Sequence, residues 1–205
     1  GDPFSDDQQI LDFLKTLPID SPFKKDADAA TRWNNAFCLM AELGLRPTEV
    51  NKLIVKKDPT TKEFYWFCTY EKKGGGGTTE PRRIEPLPLL DRDGKEVKWN
   101  LIDRFRANLL PLPERVDGDA CKVYLQRREG WKQLKEMMKE KEGSNLVPYS
   151  FRHYYSLRGH IAGIDSGSMA SSMGHSIEAH HRAYPYSSKA STTNAFKQAR
   201  ERLTA

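Results

Sequence analysis

GLRPTEV, residues Gly44–Val50, ends one helix and starts another element with a single arginine caught between them. Upstream, Ala30, Trp33, Phe37, Met40 and Leu43 recur at helical spacing, which predicts a helix over Asp26 to Leu43. Gly44 supplies the left-handed residue that stops it. Pro47 sits where a first helical residue has no hydrogen-bond partner to lose, so PTEVNKLI is expected to restart as a helix directly after Arg46. Arg46 is then held in a tight junction, with Glu49 one helical turn beyond it and close enough to orient its guanidinium.

Working outward, residues 1–25 read as a linker or a short approach helix, with Ser5 capping DDQQILDFLKTL before Pro18 and Pro22 interrupt. After residue 62 the character changes. EFYWFCTY is aromatic and β-favouring, RRIEPL is a second short strand, and GGGGTT can turn one into the other. Helices return with WNLIDRFRANLL, with DACKVYLQRREGWKQLKEMMKEKEG broken near Gly130, and with SFRHYYSLRGHIAG. A serine-rich turn region follows, then a last amphipathic helix from about Ser191. The expected fold is mainly α with a small antiparallel β-hairpin or sheet.

The 205-residue chain is long enough for a sizeable core in a single domain. Its net charge of +5 favours polyanionic partners without proving one. Cys38, Cys68 and Cys121 lie far apart, form no CxxC pair and are odd in number, which points to reduced thiols in a cytoplasmic setting and argues against disulfides or structural zinc. No apolar run approaches the roughly eighteen residues of a membrane span.

Four segments carry groups suited to a phosphate. GLRPTEV gives Arg46 and Glu49, EKKGGGG gives Lys72 and Lys73, YSFRH gives Arg152, and MGHSIEAHHRAYPYS (Met173–Ser187) gives His175 and Tyr184. KGGGG is not a nucleotide loop, because a Walker loop places its lysine after the glycines. Paired histidines at His180 and His181 raise a metal alternative, but the set lacks His-Glu-x-x-His spacing and a nearby cysteine. A phosphodiester repels nucleophiles, so its catalysts work by charge stabilisation and positioning. Guanidinium forks suit that task better than ammonium groups.

In this order the four segments resemble the catalytic domain of the tyrosine recombinases, the phage integrase family, over roughly Asp26 to Tyr184. The family pattern is a G-L-R-x-x-E turn, a hairpin lysine, an H-x-x-R helix start, a G-H step and a tyrosine about nine residues later. The resemblance implies that Arg46 and Arg152 clamp the non-bridging oxygens, His175 bonds the scissile phosphate, and Glu49 supports Arg46. It further implies that Tyr184 attacks phosphorus to give a 3′-phosphotyrosyl link, with no ATP, metal or other cofactor, and that a hairpin lysine protonates the leaving 5′-oxygen. Lys73 adjoins the glycines and is the first choice for that lysine, Lys72 the second. Spacing from His175 selects Tyr184 over Tyr186, and Pro185 pushes Tyr184 out of helical geometry, to a mobile helix end. The chain departs from the pattern at Tyr149, where the family usually has histidine. A phenol can donate a hydrogen bond but brings no positive charge at neutral pH. His153 is a candidate stand-in for it, although adjacent residues on a helix do not share a face.

The resulting expectation is a site-specific recombinase or integrase of double-stranded DNA. It has two rivals, a catalytically silent DNA-binding accessory factor and a type IB topoisomerase-like enzyme. Seven Lys/Arg against three acids from Leu146 to Ala205, with Lys56/Lys57 and Arg82/Arg83, would supply phosphate contacts. Residues 26–188 would form the catalytic domain. Residues 189–205 would be a helical tail whose stripe of Phe196, Ala199 and Leu203 must be covered, in this domain or on a neighbouring protomer of a tetramer on DNA.

Overall fold

The computed structural model describes residues 1–75, 77–185 and 189–205, with the backbone alone at 189–192 and 194. Its centre is helix α2 (Lys24–Leu43), whose second half is buried on nearly every side through Trp33, Ala36, Phe37, Leu39, Met40 and Leu43. Such all-round burial needs partners on all sides. Helix α6 (Ser150–Ile161) supplies one, with Phe151 stacked on Phe37 at 5.3 Å between ring centroids. The opening segment supplies another. Phe4 meets Phe151 at 5.0 Å, and α1 (Asp7–Lys15) buries Ile10, Phe13 and Leu14 in the same cluster. Each such side chain contributes about 1.5–3 kcal/mol on burial. Residues 1–25 therefore carry part of the core and are not a loose approach. The cap of α1 is Asp6, whose carboxylate accepts from the Gln9 N–H at 2.9 Å, and not Ser5.

Gly44 ends α2 in the left-handed region (φ 65°), its N–H donating to the Met40 carbonyl. A Cβ there would also collide with the Tyr155 ring, so glycine is required twice over. The expected second helix is only a 3₁₀ turn, Pro47–Lys52. From Leu53 the β-branched run Ile54–Val55 goes into a strand instead. β1 (Leu53–Lys57), β2 (Phe64–Cys68) and β3 (Arg82–Ile84) form one small antiparallel sheet in that order, β1 joining the two strands read from the sequence. The register aligns Leu53, Cys68 and Arg82 in one row and Val55, Trp66 and Ile84 in another, both on the core face. Beyond the strands, Lys72 and Thr79 exchange both backbone hydrogen bonds, so the ribbon continues towards the glycine turn. Gly76 of that turn lies outside the described residues.

Downstream come α3 (Leu101–Arg106), α4 (Gly118–Gln126) and α5 (Glu129–Glu142). The break between the last two falls at Arg127–Arg128, and Gly130 lies inside the first turn of α5. The serine-rich stretch is a helix, α7 (Ser166–Met173), because Asp165 caps it by accepting from the Ser168 N–H at 2.8 Å and because Met169, Ala170 and Met173 have a core to enter. A short α8 (Ile177–Ala183) follows, capped by Ser176. Helix α9 (Lys189–Thr204) closes the chain with Phe196 63% and Leu203 86% exposed. Its apolar stripe is thus uncovered among the described residues. No helix among them is long and apolar enough to cross a membrane, and the three cysteines are buried and unpaired.

Candidate active site

The site is built around one fully buried carboxylate. The junction after α2 turns the Glu49 side chain back on Arg46, whose N–H donates to Oε1 at 2.9 Å and whose Nη1 donates to Oε2 at 3.2 Å. Arg82, on the core face of β3, donates to the same carboxylate from Nη1 (2.6 Å) and Nη2 (3.2 Å). Arg152 of α6 brings its Nη1 within 3.8 Å of Oε1. Burial alone would raise the Glu49 pKa. The hydrogen bond from Arg82 and the charges of Arg82, Arg152 and Arg46 outweigh it and hold the group below its ordinary value.

The last carbonyls of a helix have no intrahelical donors and carry partial negative charge. At the end of α7 three consecutive carbonyls are satisfied by the arginines. Ser172 accepts from Arg82 Nε (2.7 Å), Met173 from Arg152 Nη2 (2.7 Å) and Arg46 Nη1 (3.3 Å), and Gly174 from Arg46 Nη2 (3.1 Å). Thr79 Oγ1 also donates to Gly174, at 3.0 Å. Arg152 completes its fork by donating to the Gly44 carbonyl at 2.8 Å. Gly174 lies at φ 74°, and a Cβ there would strike the Arg82 guanidinium. Three guanidiniums against one carboxylate leave the cluster at net +2, a standing demand for an anion. Burial, and next the charge of Arg46, lower the Arg152 pKa to about 10, which still leaves it charged at neutral pH.

His175 follows Gly174 and is half-buried, its Nε2 2.9 Å from Nδ1 of His180. Burial first, then the charges of Arg152, His180, Arg46 and Arg82, depress the His175 pKa to about 3. Tyr184 stands at the end of α8, out of helical geometry (φ −133°, ψ 74°), and its ring lies 6.3 Å from that of His175. It is only 5% exposed, so the expected helix end is there but the ring is packed inward, against Tyr155, Met169 and Met173. Its hydroxyl lies 3.0 Å from Nδ1 of His153. Burial raises the Tyr184 pKa, with Arg152 and Arg46 opposing. Tyr186 lies outside the described residues.

The structure therefore brings Arg46, Glu49, Arg152, His175 and Tyr184 into one region. Tyr149 stands at the start of α6, 39% exposed, its ring 6.3 Å from that of His153 one turn on. Lys72 and Lys73 are both exposed on the ribbon. Directly paired residues of an antiparallel ribbon project to the same face and neighbours along a strand to opposite faces. Lys72 thus shares the face of Thr79, which touches Gly174, whereas Lys73 lies beyond the paired residues at the start of the glycine turn. One member of the cluster escapes the sequence reading. Arg82, grouped there with surface phosphate contacts, is 9% exposed in its side chain and points into the cluster. The signal was available, since Ile84 must face the core and the strand period carries Arg82 with it. His153, offered by the sequence as a stand-in for the imidazole absent at Tyr149, does not share the Arg152 face, but the inward packing of Tyr184 brings the phenol to it.

No protein-family model matches this sequence, and no curated protein matches it. Solved structures do. The Tn1549 transposon integrase in complex with transposon right end DNA aligns over 99% of this chain at 17% identity and a TM-score of 0.50. The same integrase in complex with circular intermediate DNA aligns over 96% at 16% identity and the same TM-score. The fold is that of a tyrosine-recombinase catalytic domain. The chain spans 66% of the length of each of those integrase chains. In the recombinase fold seen here, the arginine cluster lies beside an open cleft lined by Thr78, Glu80, Arg82, Gly174, His175 and Ser176.

Proposed function

We propose that this chain is the catalytic domain of a site-specific tyrosine recombinase or integrase that breaks and rejoins DNA through a 3′-phosphotyrosyl intermediate. The observation that carries the reading is the net-positive cluster of Arg46, Arg82 and Arg152 standing beside His175 and the Tyr184 phenol. The solved likenesses are integrases in complex with DNA. A phosphodiester held by Arg46 and Arg152 has its oxygens neutralised by donors already fixed in place, which is where most of such a rate enhancement originates. His175 hydrogen-bonds the same phosphate. Tyr184 oxygen bonds to phosphorus as the bond to the 5′-oxygen breaks, and that oxygen takes a proton from Lys72. The pairing of Lys72 with Thr79 favours it over Lys73. The phosphotyrosyl link retains the energy of the original bond, so a second 5′-hydroxyl can reverse the step without ATP or metal. Residues 26–188 hold the catalytic groups in this reading, with residues 186–188 outside the described part. The exposed Phe196 and Leu203 of α9 are the surface for docking on a second copy in a tetramer on DNA.

Tyr149, which carries no charge where such enzymes usually have an imidazole, favours the rival reading of a silent DNA-binding factor. One assay separates the two. Singly nicked duplexes of randomised sequence are incubated with the protein and resolved on a denaturing gel. A covalent protein–DNA adduct, absent in Tyr184→Phe, is the expected result. Absence of adduct with wild type, or an adduct that survives Tyr184→Phe, overturns the enzymatic reading.

A further inference from the structure

We infer that His153 is a catalytic residue, the proton acceptor for the Tyr184 phenol, a role that rests on the strand-cleaving reading above. A phenol attacks phosphorus slowly while it keeps its proton, and burial makes Tyr184 harder to ionise than a free tyrosine. It needs an acceptor within hydrogen-bond reach. His153 Nδ1 is at 3.0 Å. The other described groups around the phenol are less suited. The His175 Nε2 is engaged with His180 at 2.9 Å, the guanidiniums of Arg46 and Arg152 are donors with no lone pair to offer, and Tyr149 is itself a phenol.

The groups that face His153 are Tyr184 from α8, Tyr149 and Arg152 from its own helix, and Asp2 from the opening segment. Burial first, with the positive charge of Arg152 adding to it, lowers its pKa to about 4. The ring is therefore neutral at pH 7 with a lone pair to offer. An arriving phosphodiester anion favours the imidazolium that forms when the proton moves. Tyr149 and His153 lie four residues apart and so share one face of α6, so an imidazole one turn along occupies the side of the helix where Tyr149 offers none.

The step balances within the site. The Tyr184 O–H bond breaks with its proton passing to His153 Nδ1, and the tyrosine oxygen bonds to phosphorus. The P–O5′ bond breaks, and the departing oxygen takes a proton from the Lys72 ammonium. A neutral imidazole and an ammonium become an imidazolium and an amine, and religation returns both protons.

The acceptor role requires the tautomer with hydrogen on Nε2 and none on Nδ1. Nitrogen-15 spectra of the imidazole at neutral pH read this directly, without DNA. An unprotonated Nδ1 whose shift moves in Tyr184→Phe is expected, and a protonated Nδ1 overturns the assignment. The kinetic arm uses His153→Asn, whose Oδ1 can still accept the hydrogen bond but cannot carry the proton away. On the nicked duplexes recovered as adducts, remade with a 5′-bridging phosphorothiolate whose leaving sulfur needs no acid, this variant should form adduct about 10²–10⁴-fold more slowly than wild type near pH 7. Its rate should then climb about tenfold per pH unit up to roughly pH 9, as the phenol ionises unaided, while wild type stays flat. A His153→Asn rate and pH profile matching wild type, alongside an inactive Tyr184→Phe, refutes the role of His153 and leaves the recombinase reading standing. Absence of adduct with wild type refutes both.

Discussion

Glu49→Gln removes one negative charge and little volume from the centre of three guanidiniums, so its cost tests the architecture of the site. In the native protein four N–H groups of Arg46 and Arg82 converge on the two carboxylate oxygens at 2.6–3.2 Å. The amide keeps one acceptor and turns its NH₂ towards two of those donors, whichever way it is flipped. Two buried N–H groups without acceptors cost about 1–3 kcal/mol each. Breaking one side of a buried ion pair costs about 3–5 kcal/mol by itself, and the two arguments describe the same loss. We expect Glu49→Gln to lose about 3–5 kcal/mol of roughly 5–15 available. With a urea slope of about 2–3 kcal/mol/M, the unfolding midpoint should fall by about 1–2.5 M. The variant cluster stands at net +3, so inorganic phosphate should stabilise it more than wild type, by mass action on the folded state. Arg82→Met in the same chain should restore part of the loss, because the carboxylate and one guanidinium then leave together. A loss below about 1 kcal/mol, or strictly additive single and double variants, would refute the claim that one carboxylate organises the arginines.

Other outcomes follow from the same geometry. Lys72→Ala should slow adduct formation about 10²–10⁴-fold and be rescued by a 5′-bridging phosphorothiolate, with Lys73→Ala within a few-fold of wild type; the reverse pattern would move the acid to Lys73. Gly44→Ala, strained at φ 65° and driven into Tyr155, should lose about 2–4 kcal/mol in urea melts, and a neutral result would mean the junction is not fixed. His153, His175 and His180 have pKa values lowered to about 4, 3 and 4. The unfolded chain takes up protons at these sites near pH 6.5 and the folded chain does not, so stability should be full above about pH 6.5 and fall towards about pH 4. The slope is at most about 1.4 kcal/mol per pH unit per histidine, less for half-exposed rings. Glu49, lowered instead, adds a second loss below about pH 4.5 as it is protonated. A urea midpoint that is flat from pH 7 to pH 5 would show that these rings are solvated.

The alternation of helical and β-favouring segments made the fold class legible, whereas the grouping of Arg46, Glu49, Arg152, His175 and Tyr184 was legible only through the resemblance of their ordered motifs to a known family. Gly44, Pro47 and Gly174 announce themselves by backbone requirement, whatever surrounds them. What stayed hidden depends on tertiary partners. Leu53–Val55 is a strand because β2 is there to pair with it, and SGSMASSM is helical because Met169 and Met173 have a core to enter. Arg82 looks like a surface charge until its inward register is fixed by Ile84. Phe4 and α1 look like an approach until Trp131 and Phe151 are seen to receive them. Direction was the harder part for His153. Helical geometry separates it from Arg152 correctly, but the partner that reaches it comes from the far end of α8.

The latching of the arginines to the carbonyls at the end of α7 separates two parts of the molecule mechanically. Arg46, Arg82 and Arg152 are fastened to Ser172, Met173 and Gly174, whereas Tyr184 rides on α8, beyond the glycine pivot. If α8 swings outward, the arginine cluster stays assembled on the end of α7, and only the Tyr184 phenol is brought to it or withdrawn.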